Sequence, residues 1–518
     1  MSPFLRKVKT ASGATAVQIV EKRGGVRTIV EHLGSAHTDA ELAALLQAGQ
    51  AKLHTGQPAL DLGVTSQGVP PGTAVVEGSV SRLLIEVVRA SWDRLGFGVV
   101  ADEAFFQLVL ARLVEPTSKL DSLRVIAELG LAPVHLSTVK RCLKRCAARD
   151  YRDLISTACF THVWTSPDAD VSLLLYDTTT LYFEVEKEDG LRKVGYSKER
   201  RVDPQIVVGL LVDRTGFPLE IACFEGNAAE THTLIPVITA FKERHQVADV
   251  AVVADAGMLS AANLDAINAA GLRFIVGSRQ VKAPHDLASH FRWHGNNFDD
   301  GQIIDTITPR RGKPDPQRVS TRAEPVWDRD GHPGSWRALW QYSQKRAVRD
   351  HHTLAAQQHR AQDIIDGTRP ARKARFVKVT GQTTSLDLVS LHRAQGLIGL
   401  KGYVTNIDAA TMPAAEVIGS YHELWRIEQS FRMSKTDLAA RPIFHRTQDA
   451  IEAHLTIVFT ALAIARDLQA RSGVSLKKLI TSLRPLQHVT INLAGHPIQA
   501  EPALSPETRD LLARLSGH

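Results

Sequence analysis

Cysteine is scarce: four in 518 residues are too few to staple a fold through disulfides. The chain is therefore expected to rely on its own core and to reside in a reducing compartment, the cytoplasm. No apolar run is long enough for a bilayer. The most apolar stretch, Leu455 to Ala465, lies between His454 and Arg466. It is about half of the ~20 residues a spanning helix needs, so it reads as a buried helix and no membrane partner is expected. The opening residues MSPFLRKVKT show neither an apolar core nor a cleavage site, so no secretory leader is expected. A Gly-x-x-x-x-Gly-Lys loop for a nucleotide is also missing. Excess charge is small, 62 Lys+Arg against 55 Asp+Glu, a net of +7. That balance permits a nucleic-acid partner without demanding one, and the placement of the charge has to decide. Hydrophobic content of 44% and charged content of 23% are those of an ordinary globular protein, which excludes wholesale disorder, collagen and a coiled-coil rod.

The length allows about three or four domains. Residues 1–165 read as a mainly helical N-terminal region. It opens with a hairpin around Gly24-Gly25, followed by a helix from Asp39 and a Gly/Pro-punctuated linker over 55–77. In its last helix Val139, Cys142, Leu143 and Cys146 form one apolar stripe, and Lys140, Arg141, Lys144 and Arg145 fill the other faces. With the preceding helix and the turn at Gly130 to Pro133, this resembles a helix-turn-helix whose basic face either meets DNA or is simply solvated. The two cysteines on the stripe read as core residues rather than metal ligands. From residue 170 the pattern turns to β-β-β-α-β-α-β. That order predicts an α/β core of ribonuclease H-like type, a mixed five-stranded sheet. The core is expected over 170–280 and 401–515, interrupted by an insertion subdomain over 281–400 rich in His, Arg, Asp, Gly and Pro.

Two apolar runs in the core end in an acid: VSLLLYD at Asp177 and DVAVVAD at Asp255. If the two strands are parallel neighbours, both carboxylates project at one sheet edge, where ligands of such sheets bind. Two ionised carboxylates side by side repel, so a shared proton or a cation must sit between them, and an all-oxygen donor set suits Mg²⁺. An Asp in this position also serves simply to cap a turn. Glu428 is the third candidate. Tyr421, Glu428 and Lys435 are spaced seven and seven apart, so one continuous helix from about Ala414 would align them within about 20° per step. Arg432 lies ~40° from Glu428 on that helix and Arg426 ~160° away. A solvated face with a Glu428–Arg432 pair gives the same pattern.

The segments YDTTTLYFE (176–184), GYSKERRVDPQIVVGLLVDRTGFPLEIACFEGN (195–227), VVADAGMLS (252–260) and YHELWRIEQSFRMSKTDLAARPIFH (421–445) resemble the bacterial insertion-sequence transposases of the DDE type. More narrowly, they are similar to the IS-four superfamily, whose third acid follows a long insertion. Tyr421, Glu428 and Lys435 match that family's helical signature, but its Arg slot, three after the Tyr, holds Leu424. The resemblance implies a Mg²⁺-dependent nuclease and DNA strand transferase. Asp177, Asp255 and Glu428 would be both catalytic residues and ligands of two divalent ions, with Mn²⁺ able to substitute. Its partner would be double-stranded DNA, both element ends and target, bound by a homodimer in the synaptic complex. DNA contacts would come from Tyr421, Arg432 and Lys435, from Lys198, Arg200 and Arg201 in the basic stretch that starts at Arg192 and Lys193, and from Lys140, Arg141 and Lys144. The run RPARKARFVK (369–378) is either a further backbone contact or a solvated loop.

Other functions fit less well. An aspartyl-phosphate transferase needs an acid where Thr179 stands. Aspartic proteases carry a Gly after Asp-Thr and are all-β. His351, His352 and His359 lack companions with zinc spacing and read as polar surface. Asn227 reads as a turn residue. The non-enzyme alternative is a catalytically inactive, transposase-derived DNA-binding protein.

Overall fold

The computed structural model of the protein describes residues 3–516 except 11–12, 24–25, 54–73, 167–170, 185–186, 197–201, 248–249, 256–259, 312–321, 371–373, 381–382 and 494–495. Internal contacts divide the chain into two units. The first holds Met1–Ser166, Leu181–Lys187 and Ser430–His518; the second holds Pro167–Thr180 and Glu188–Gln429.

The first unit opens with strands β1 (Phe4–Lys9), β2 (Thr15–Arg23) and β3 (Val26–Ala36), paired antiparallel in that order. The predicted hairpin therefore has an extra strand ahead of it, and its Gly24-Gly25 turn lies outside the described residues. Helix α1 (Asp39–Leu53) starts at the predicted Asp39. Most of the predicted linker also lies outside the described residues, but its end is β4 (Ala74–Val80). Five helices follow: α2 (Arg82–Arg94), α3 (Glu103–Val114), α4 (Ser122–Glu128), α5 (Leu136–Ala148) and α6 (Tyr151–Trp164). One carboxylate joins three of them. Asp102 Oδ1 accepts the N–H groups of Ala104 and Phe105 at 3.1 and 3.3 Å, capping α3. Its Oδ2 takes Arg145 Nη2 of α5 at 2.6 Å and the Tyr151 hydroxyl of α6 at 3.0 Å. Arg145 is thereby spent on structure. On the same helix Val139, Cys142 and Cys146 are buried, whereas Lys140, Arg141 and Lys144 are exposed.

The second unit is built on one sheet. In chain order its elements are β5 (Leu173–Tyr182), β6 (Gln205–Val212), β7 (Pro218–Glu225), α7 (Leu234–His245), β8 (Ala251–Ala254), α8 (Ala261–Ala269), β9 (Arg273–Ser278), α9 (Ala283–Asp286) and α10 (Ala288–His294). Next come β10 (Ile303–Pro309), β11 (Ser335–Tyr342), α11 (Gln344–Ile365), β12 (Val377–Thr380), β13 (Thr383–Leu386), α12 (Leu388–Gln395), β14 (Leu400–Thr405) and α13 (Ala414–His422). The chain returns to the first unit within α14 (Trp425–Thr436). There α15 (Gln448–Ser472), α16 (Leu476–Leu483), β15 (His488–Leu493), β16 (His496–Ala500) and α17 (Pro506–Ser516) complete it. The apolar run 455–465 is buried along its whole length in α15, which packs on α2, α3, α5, α6 and α17. None of the described helices is long and apolar enough to cross a membrane. β4 pairs with β15 in a small sheet ordered β16-β15-β4, a strand that the Gly/Pro-rich sequence hid.

The main sheet has eight strands in the order β10-β11-β14-β9-β8-β5-β6-β7, wider than the five expected. Strands β5 to β9 are contiguous within it, and β10, β11 and β14 widen it beyond β9. Residues 281–400 thus supply two strands of this sheet as well as α11 and the β12–β13 hairpin. The parallel pairs are β5–β8 and β8–β9, and the hairpin β6–β7 is antiparallel. Every residue of β6 and of β8 is buried, as a strand covered on both faces requires, and this explains their unbroken apolar runs. The β6–β7 turn is fastened by Asp213 Oδ1, which accepts the N–H groups of Thr215 and Phe217 at 2.9 and 2.7 Å, with Gly216 at φ +86°.

Close packing here leaves no room for one extra carbon. A Cβ on Gly209 of β6 would lie 2.3 Å from the hydroxyl oxygen of Tyr176, the fully buried residue beside Asp177. Gly209→Ala is expected to destabilise the protein by about 1–3 kcal/mol in chemical denaturation. Adding Tyr176→Phe, which deletes the clashing oxygen, should recover roughly half of that loss.

Candidate active site

Register alone places two of the predicted acids together. β5 and β8 run parallel with Leu173 opposite Ala251 and Leu175 opposite Val253. Two residues further along each strand come Asp177, still in β5, and Asp255, the residue after β8. Parallel neighbours lie about 4.8 Å apart, and residues at one level leave the sheet on the same face. Asp177 is half-buried and Asp255 exposed. Asp177 Oδ1 accepts the N–H of Thr178 at 2.8 Å, and Asp255 Oδ1 accepts the hydroxyl of Tyr421 at 2.9 Å.

Tyr421 reaches Asp255 from α13 and is itself buried. Burial raises its phenol pKa above the ordinary value, and the negative charge of Asp255 raises it further, so the hydroxyl stays protonated and donates. The end of α13 is pinned from the β6–β7 turn. Arg214 Nε donates to both oxygens of Glu423 at 3.1 and 2.9 Å, and Arg214 Nη2 reaches Ser420 Oγ at 3.4 Å. Tyr403 of β14 meets the Tyr421 ring edge-on, 5.0 Å between centroids, and its oxygen lies 3.0 Å from His422 Nε2. Burial pushes the Tyr403 phenol up to about 12.

The single helix expected to carry Tyr421, Glu428 and Lys435 is two helices. α13 ends at His422 and α14 begins at Trp425. Between them the N–H groups of Glu423, Leu424 and Arg426 bond three residues back, to Ser420, Tyr421 and Glu423. Such tight turns advance about 120° per residue instead of 100°, so a spacing of seven no longer carries Tyr421 onto the face of Glu428. The alignment survives only within α14, among Glu428, Arg432 and Lys435. Glu428 and Arg432 are exposed and Lys435 is half-buried. Among the described residues, no group of three or more His, Cys, Asp or Glu side chains is placed to hold a metal ion. The structure therefore does not gather Asp177, Asp255 and Glu428 into one cluster. Arg432 and Lys435 belong to the first unit by their contacts, whereas Glu428 belongs to the second with both aspartates.

The remaining predicted residues are scattered. Lys198, Arg200 and Arg201 lie outside the described residues. Arg192 is buried against Asp189 at 2.7 Å. Lys140, Arg141 and Lys144 stand on the exposed face of α5. Arg426 places its guanidinium 5.1 Å from the Trp425 ring centroid. In the run 369–378, Arg369 pairs with Asp363 at 3.2 Å and Arg375 donates to Gln357 at 3.1 Å; residues 371–373 are not described. His351, His352 and His359 are exposed along α11, and Asn227 is exposed in a turn.

Two cations that sequence spacing did not flag stand near Tyr421. Lys401, on β14, holds its Nζ 5.1 Å from the Tyr421 ring centroid. Its pKa is lowered first by burial and then by the like charge of Arg346, at the start of α11; the carboxylate of Asp255 acts in the opposite sense. Arg346 also bears electrostatically on Tyr421, Tyr403 and His422. Only sheet pairing reveals this neighbourhood, because these residues come from separate stretches of the chain.

Two carboxylates at one level, with a phenol and a lysine beside one of them, suit chemistry on a phosphate ester rather than on a neutral bond. Comparison with known proteins narrows this. The model of the transposase DDE domain matches residues 169–464, more than half of the chain. No curated protein matches. Among solved structures, the cryo-EM structure of the piggyBac transposase synaptic complex with hairpin DNA is similar at 10% identity, over 76% of this chain and 70% of that chain, with a TM-score of 0.37. That likeness is too slight to carry any argument. The family match spans the β5–β8 pair, the whole insertion and α13–α14, so the chain belongs to the DDE transposases, enzymes of DNA transposition.

Proposed function

We propose that the protein is an insertion-sequence transposase of the IS-four kind. In this reading it cuts DNA at the element's ends and joins the freed ends to target DNA, with β5 to β9 as a ribonuclease H-like core interrupted by residues 281–400. The placement of Asp177 and Asp255 at one level of the parallel pair β5–β8 carries the reading. The donor chemistry fits a hard divalent cation: carboxylate oxygens and no sulfur. Asp177 and Asp255 would hold Mg²⁺, with Mn²⁺ as a substitute, and Glu428 would complete a two-ion site once DNA is bound. The tight turn at Glu423 and Leu424 is the point at which α14 could swing Glu428 toward them. When bound, the metal supplies Lewis acidity: it lowers the pKa of an attacking water and offsets charge on the departing 3′ oxygen.

The chain's own groups set the geometry. Tyr421 fixes the Asp255 carboxylate through its hydroxyl, and the phenol keeps its own proton. The Arg214–Glu423 pair holds α13 so that Tyr421 stays in reach. After the first cut, the liberated 3′ hydroxyl attacks a target phosphodiester, and no covalent bond to the enzyme is formed. Lys140, Arg141 and Lys144, Lys198, Arg200 and Arg201, and Arg432 and Lys435 would contact DNA backbone, with the first unit contributing binding rather than chemistry. Pairing two ends calls for a homodimer.

Incubation of the purified protein with a supercoiled plasmid carrying its gene and native flanking DNA, plus Mn²⁺, should give nicks at the element's ends. Asp177→Asn, Asp255→Asn and Glu428→Gln should each lower nicking by about 1,000-fold or more while leaving DNA affinity within about threefold. Nicking that survives Asp177→Asn or Asp255→Asn would show that the pair is structural. Without DNA, 10 mM Mg²⁺ or Mn²⁺ should raise the melting temperature by about 2–5 °C relative to EDTA. That gain should vanish in Asp177→Asn and persist in Glu428→Gln, because the two aspartates are assembled without the glutamate. Loss of the gain in both variants would mean that Glu428 is already a ligand in the free protein.

A further inference from the structure

We propose that Lys401 and Arg346 form a phosphodiester clamp, gripping the non-bridging oxygens of the DNA strand next to the bond that is cut. The inference deepens the transposase reading and rests on it. Its starting point is Tyr421, whose own helix carries no lysine or arginine, while Arg426 in the next helix turns its guanidinium toward the Trp425 ring.

Lys401 and Arg346 bring positive charge to Tyr421 from two other elements. Lys401 projects from β14 against the ring of the tyrosine that binds Asp255, its Nζ 5.1 Å from the ring centroid. The aromatic face orients the ammonium without neutralising it. Arg346 comes from a different element, the first turn of α11, and is half-buried; that turn starts beside the head of β14, where Tyr342 pairs with Leu400 and the Ser343 N–H bonds the Gly399 carbonyl at 3.0 Å. Among the described residues neither side chain has an ion pair or a side-chain hydrogen bond. Two half-buried cations repelling each other form an unfavourable arrangement in the free protein, and burial adds to it. An anion between them reverses the sign of both effects. Asp255 offsets part of that repulsion at Lys401, but no ion pair joins it to either cation among the described residues.

The chemistry selects a phosphodiester strand over a nucleotide. The sequence has no Gly-x-x-x-x-Gly-Lys motif to wrap a terminal phosphate. Lysine offers a point charge and arginine a planar fork, and their separate elements suit successive oxygens along a backbone. Tyr403 and His422, joined at 3.0 Å, complete the polar lining on the same side. Such contacts position a strand without reading its sequence.

The test uses the full chain and a fluorescent duplex of the element's end, nicked at the cleavage position. Lys401→Gln and Arg346→Gln should each weaken binding about tenfold and reduce the slope of log affinity against log salt by about one. Lys401→Arg should restore most of the affinity and the slope. In Mn²⁺-dependent plasmid nicking, both glutamine variants should raise KM more than they lower kcat. A folded double variant with wild-type affinity and salt slope would overturn the clamp. Arg346→Gln reads independently of Lys401→Gln if the β14 substitution impairs folding. Wild-type protein that binds and nicks no DNA would remove the transposase reading itself, whereas wild-type nicking with unaltered variants removes the clamp alone.

Discussion

Parallel pairing of β5 with β8 is the constraint on which the rest depends. Chain positions so far apart meet at one level only because the apolar first half of β5 and the short, wholly apolar β8 lie side by side in the same direction. Parallel strands need cover on both faces, and the burial of every residue of β8 and of β6 supplies it. The close approach of Gly209 to Tyr176 keeps β6 tight against the strand that carries Asp177. The sheet therefore spends its apolar runs on holding two like charges near each other, an arrangement that hydrophobic burial tolerates and does not itself favour.

Around that pair, the second unit arranges groups that treat its charge in different ways. Tyr421 lends a proton to Asp255 without giving it up, since burial and the carboxylate both hold the phenol protonated. Lys401 answers with positive charge from β14. Arg214 and Glu423 take no part in that charge balance; they anchor the helix end from which Tyr421 reaches. The tight turn after His422 then separates this anchored helix from α14, where Glu428 stands exposed. On the proposed reading, the first two acids are prebuilt and the third arrives with the substrate, so the free protein avoids collecting three carboxylates in one place.

Much of this was legible in the residues. Apolar runs ending in Asp177 and Asp255 gave both strands and, with the alternation of strands and helices, the neighbourhood of the pair. The buried stripe of α5 and the buried run of α15 followed from helical periodicity. What the sequence hid has physical reasons. β4 is short, follows a Gly/Pro-rich stretch and finds its partner β15 near the other end of the chain. β10 and β11 looked like part of a separate insertion because polar, fragmentary stretches surround them and β14, the strand that joins them to the core, comes only after α11 and α12. The alignment of Tyr421 with Glu428 failed because seven-residue spacing assumes an unbroken α-helix, and three tight hydrogen bonds break it. Lys401 and Arg346 were invisible for the opposite reason: each is an ordinary cation in its own segment, and only the fold makes them neighbours of Tyr421.

The central claim is that Asp177 and Asp255 jointly hold a divalent cation in a protein that cuts DNA. Anomalous scattering from crystals of the full chain soaked in Mn²⁺ tests it most directly. The account predicts a manganese peak bridging those two carboxylates even without DNA. A map with manganese bound elsewhere, and none between Asp177 and Asp255, would contradict it.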